Sequence, residues 1–208
     1  MRKRKGYRFC GVQSKSSEKG ENVVTKIVDD ISRSLENKCY LAALALALTL
    51  PDICGKAAYP TEGGTKKRYI DWYDAHIGHF FQEISKAREE GLADLPYLSG
   101  SLVYQLRCSF LHSGDVDVDK SGIREEQNKI TKFNMELRRH DDIFAAGTTA
   151  YLSYEKDGTI EREYNVSVTY LCKILSGVAL KYYKDNKDKF TFFSYSIIDS
   201  TQEYADNE

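Results

Sequence analysis

Two side chains in the run Leu102-Val-Tyr-Gln-Leu-Arg-Cys-Ser-Phe-Leu-His-Ser-Gly114 are suited to chemistry on a phosphodiester: Arg107 and, five residues on, His112. A guanidinium is a planar, permanently charged fork that matches phosphate oxygens. An imidazole titrates near neutrality and can take or give the proton of a ribose 2′-hydroxyl. With Arg107 stabilising charge on the phosphate in transition and His112 as acid/base, cleavage would leave a cyclic phosphate and need neither metal nor cofactor. Tyr104, Cys108 and Ser109 lie close enough in sequence to support the pair, with Tyr104 or Ser109 orienting one of the two groups.

The run reads as a helix over Leu98–Ser113 that Gly114 halts. Leu102, Val103, Leu106 and Phe110 form an apolar stripe. Ser101, Gln105, Cys108, Ser109 and His112 form a polar, nearly uncharged one, so both faces are expected to be covered. Five helical residues amount to about 140° of rotation and about 7.5 Å of rise, so Arg107 and His112 do not stack on one face. They could meet through the reach of Arg, or across a two-fold axis that brings two copies of the motif together. In the plainer alternative Arg107 pairs with a carboxylate of another helix and His112 is an ordinary hydrogen-bonded residue.

Arg107-x(4)-His112 at the end of a late helix resembles the Arg-x(4–6)-His signature of the HEPN superfamily. The likeness is sharpest over residues 38–114, and Tyr104 to His112 also looks like uncharacterised bacterial proteins of this type. The resemblance implies a compact helical bundle. Many members are metal-independent endoribonucleases or partners in toxin–antitoxin and phage-defence systems. It implies catalytic roles for Arg107 and His112, RNA as substrate, a homodimer, and a protein antitoxin as a partner to look for. Cys108 stands where many active members carry Asn or Asp, and the β segment described below lies outside the minimal bundle.

Other constellations carry less. Asp115, Asp117, Asp119 and Glu126 match EF-hand positions one, three, five and twelve, but Lys120 replaces the turn glycine. His76 and His79 share a helix face, and no third strong metal ligand is placed with them. Cys108 and His112, one turn apart, form a thiol–imidazole pair without an orienting third residue. Tyr69, Trp72, Tyr73, Phe80 and Phe81 recur at core spacing, although such rings can also stack on bases. Lys66, Lys67 and Arg68 oppose the dipole of the helix they begin, a weak hint of a nearby anion. There is no phosphate-binding glycine loop, dinucleotide fingerprint or nucleophile elbow.

The elements that must position these groups follow from periodicity. Helices are expected over Asn22–Leu35, over Cys39–Leu50, which is nearly apolar all round so that neighbours must surround it, over Lys67–Glu90, and over about Val166–Lys187, besides the motif helix. Pro51 to Gly55 reads as a helix-to-loop corner. Tyr151–Glu155 and Thr159–Tyr164 flank Lys156-Asp157-Gly158, a hairpin signal, and Lys129–Leu137 alternates like a third strand, a helix being nearly as well matched. The expected fold is mainly α: a bundle of four to five helices with a small antiparallel hairpin or sheet at about 129–165, inserted before the last helix.

Composition bounds the rest. In 208 residues, 30 Lys and Arg balance 31 Asp and Glu, which excludes a uniformly basic nucleic-acid binder. Hydrophobic residues at 41% suffice for one core, spanning about 21–190, between a basic tail (1–20) and a C-terminal tail (191–208). Cys39–Leu50, the longest apolar stretch, falls short of the roughly 20 residues of a membrane span. Five scattered cysteines and a basic start without an apolar stretch after it point to the cytoplasm.

Overall fold

The computed structural model describes residues 23–81, 98–114, 132–138, 149–154 and 160–192. Its helices are α1 (Val23–Glu36), α2 (Tyr40–Ala47), α3 (Leu50–Ala58), α4 (Thr65–His76), α5 (Gly100–Ser113) and α6 (Val168–Asp185). Strands β1 (Lys132–Arg138), β2 (Thr149–Tyr154) and β3 (Ile160–Ser167) precede α6, and short 3-10 turns cover Gly78–Phe81 and Lys187–Lys189. The architecture is mainly helical with a small sheet. The basic tail, the C-terminal tail beyond Phe192, the Asp115–Glu126 loop, the hairpin turn at 156–158 and residues 82–90 of the expected third helix lie outside the described residues; within them that helix ends at His76 and a 3-10 turn follows.

The helices form where apolar periodicity and capping agree. In α1 the buried residues Val23, Val24 and Ile31 face α2 and α6. Ser99 caps α5 by accepting from the Leu102 amide at 3.3 Å, and Ser167 caps α6 by accepting from Tyr170. Gly114 closes α5 in the left-handed region, at φ 68°, with its N–H donating to the Phe110 carbonyl at 3.1 Å. Trp72, Tyr69 and Tyr73 of α4 are the largest wholly buried side chains, and α4 packs between α3 and α5.

Two glycines set that packing. A Cβ on Gly55 would sit 2.6 Å from the Arg68 carbonyl oxygen, and one on Gly100 would sit 2.8 Å from that of Ile70. Only a residue without a side chain lets α3 and α5 approach α4 so closely. Gly100 also donates its N–H to Asp74 Oδ1 at 2.6 Å, joining the start of α5 to α4.

Three expectations are corrected. The segment after Pro51 is not a loop corner; Leu50–Ala58 is helical, with Pro51 in its first turn, where a missing N–H costs nothing. The apolar α2 is not surrounded: Ala43, Leu44 and Ala47 are buried, whereas Leu41 is 64% exposed. The run Tyr40–Ala58, with mean hydropathy 1.5, is long and apolar enough to cross a membrane, and half of it is buried in the bundle. The sheet, finally, is not purely antiparallel. Its order is β1-β3-β2, with β1 parallel to β3 and β2 antiparallel to it. Because the chain passes through β2 between β1 and β3, β1 pairs on the other side of β3 in the same direction.

Candidate functional site

Arg107 leaves the inner side of α5 and reaches α3. Its Nε–H donates to Asp52 Oδ2 at 3.2 Å, and Nη2 forms an ion pair with the same oxygen at 3.1 Å. The two side chains are 23% and 19% exposed, so this is a half-buried ion pair rather than a surface one. Asp52 occupies the first turn of α3, where a carboxylate complements the helix dipole. Burial nevertheless pushes the Asp52 carboxyl above its ordinary value, outweighing the Arg107 and Arg68 guanidiniums that pull it down. Burial, the largest single influence on Arg107, opposes its charge, but Asp52, Cys108 and Tyr104 together outweigh it and raise the guanidinium above its ordinary value. Asp52 Oδ1 is buried with no hydrogen-bond partner.

The pair sits on an aromatic floor. Tyr69 of α4 is wholly buried, its hydroxyl makes no hydrogen bond, and burial raises its pKa well above the phenol range. Its ring meets that of Tyr104 edge-on, with centroids 5.2 Å apart. Burial, followed by the neighbouring Cys108 side chain to which it is hydrogen-bonded, raises Tyr104 in turn. Lys66 Nζ lies 6.0 Å from the Tyr104 ring centre. Arg68 donates to the Glu62 carbonyl and, at 3.3 Å, to Thr65 Oγ1. Lys67 bridges Glu62 at 3.0 Å and Asp71 at 2.7 Å, so the basic start of α4 is partly answered by this chain's own carboxylates.

The motif residues therefore divide. Arg107, Tyr104 and Cys108 gather against α3 and α4, and Ser109 is half-buried beside them. His112 is exposed in the last turn of α5, next to the exposed Leu111. The polar stripe is covered at Ser101 and open at His112. Asp52 and Tyr69 are the members that the sequence does not assign to the site: the loop reading of Pro51 hides Asp52, and Tyr69 reads as one of a cluster of core-spaced or base-stacking rings. An acid just after a proline is a helix-start signature, and would have placed Asp52 on a helix.

The other candidates have structural surroundings. His76 packs its ring on Trp72 and Tyr182, at 5.1 and 5.0 Å, and burial, then His79, lowers its pKa. His79 lies against Phe80, and among the described residues no group of three or more possible metal ligands occurs. Cys54 and Cys172 are buried, the latter with its thiol pushed up to about 12, while Cys39 is exposed and Cys108 half-buried. Phe80 is 40% exposed, unlike the other four rings of its cluster. No protein-family model matches the chain, and neither does any curated protein or solved structure.

Proposed function

We propose that this chain is a HEPN-like, metal-independent endoribonuclease of the cytoplasm, working as a homodimer in a defence or toxin–antitoxin setting. Arg107 binds and stabilises the scissile phosphate, and His112 moves the proton of the 2′-hydroxyl or the leaving oxygen. What supports the reading is the division just described: Arg107 is held charged and half-exposed by Asp52, while His112 stands exposed at the end of the same helix. One protomer does not stack the two groups, so a two-fold partner supplies the His112 that faces a given Arg107. Leu111, an exposed apolar residue beside His112, suits an interface at that end of α5.

The test is cleavage of single-stranded RNA in EDTA. The wild type shortens RNA to products ending in a cyclic phosphate, and Arg107→Ala and His112→Ala each abolish this with the fold intact. Cleavage retained in both variants contradicts the assignment. A second reading has its own observation: the Nε–Nη2 edge of Arg107 is already taken by Asp52, which suits a module that binds RNA, a nucleotide or a protein without turnover. Salt-dependent RNA binding with unchanged RNA length selects that reading.

A further inference from the structure

We infer that Asp52 is a positioning residue for this site, fixing the Arg107 guanidinium so that its Nη1 end meets the scissile phosphate. The inference rests on the nuclease reading above. Arg107 has five N–H donors in a rigid fork. Oδ2 of Asp52 accepts from Nε–H and lies 3.1 Å from Nη2, which turns the Nε–Nη2 edge of the group toward α3. The Nη1 end is left uncommitted to Asp52, on a side chain that is 23% exposed. A charge-assisted hydrogen bond and an ion-pair contact to one carboxylate of a different helix hold a long side chain better than its own rotamer preferences do.

Asp52 also looks expensive as a stabilising residue. Its Oδ1 is buried without a donor, and an unsatisfied buried acceptor is destabilising. Beneath it the Tyr69 hydroxyl, wholly buried, is equally without a partner. A carboxylate kept in such surroundings is explained by what it does to Arg107. The charged and titratable groups facing it are Arg68 and Tyr69 from α4, with Tyr104 and Arg107 from α5.

Asp52→Asn and Asp52→Glu distinguish the roles, with steady-state cleavage of single-stranded RNA in EDTA across pH and a melting curve for each. For Asp52→Asn the expected result is a cooperative melting curve close to the wild type's at the pH of the assay, kcat lower by about tenfold or more, and KM changed by less than about threefold. The acid limb of the pH profile that reports Asp52 protonation is lost with it. Asp52→Glu keeps the carboxylate, recovers part of kcat and retains the acid limb. Wild-type kcat in Asp52→Asn overturns the inference and leaves the nuclease reading standing, as does a loss that merely tracks the unfolded fraction. Should Asp52→Asn not fold, an Asp52→Glu protein with unaltered kcat and KM overturns it equally. An inactive wild type removes the nuclease reading and this inference together.

Discussion

At the scale of single residues, the Arg107–Asp52 pair makes two measurable demands on stability. Truncating Arg107 to Ala strands a half-buried carboxylate and should cost about 1–3 kcal/mol in urea unfolding, although the fold survives. Asp52→Asn should cost little, because burial opposes the Asp52 charge more strongly than its partners favour it. The pH dependence has an unusual sign. The folded-state pKa of Asp52 lies above that of the unfolded chain, so the folded protein binds this proton more tightly. Its contribution is full below the ordinary carboxylate value of about 4 and is lost as pH rises through the raised value. The wild type should therefore gain in melting temperature on Asp52→Asn as pH falls from neutrality to about 4; a constant difference contradicts this. His76 acts the other way. Its folded pKa is lowered, so its contribution is present above the ordinary histidine value and fades as pH drops through the lowered one.

At the scale of elements, the site depends on how closely three helices pass. Gly55 lies where α3 crosses α4, against backbone atoms that cannot swing aside. Gly55→Ala should lower stability by about 1–3 kcal/mol, despite the gain in helix propensity, and shift Arg107 relative to Asp52. An unchanged urea midpoint would show that the helices can separate at no cost. Helix boundaries with local signals were legible: the Ser99 cap, the Gly114 stop and the α1 stripe all lie in the sequence itself. The fold of α3 was legible only from Asp52 following Pro51, because the proline by itself reads the same before a loop as inside a first turn. The parallel pairing of β1 was hidden, since alternation tells which residues share a face and not which strand lies alongside. The role of Asp52 was hidden too: its meeting with Arg107 joins positions 55 apart, which spacing along one helix does not reveal.

At the scale of the whole molecule, the chain buries its aromatic core around α4 and leaves Leu41 and Leu111 exposed at separate places. The two motif residues face different surroundings in one protomer, so the account requires a second copy. Mixing two inactive variants tests this most directly. Arg107→Ala and His112→Ala proteins, each unable to cut RNA alone, are combined, allowed to exchange subunits and assayed in EDTA. Half of the dimers are then mixed, and one of the two sites in each joins an intact Arg107 to an intact His112, so about a quarter of wild-type cleavage returns. A mixture as inactive as its components, with exchange verified, would contradict the shared site.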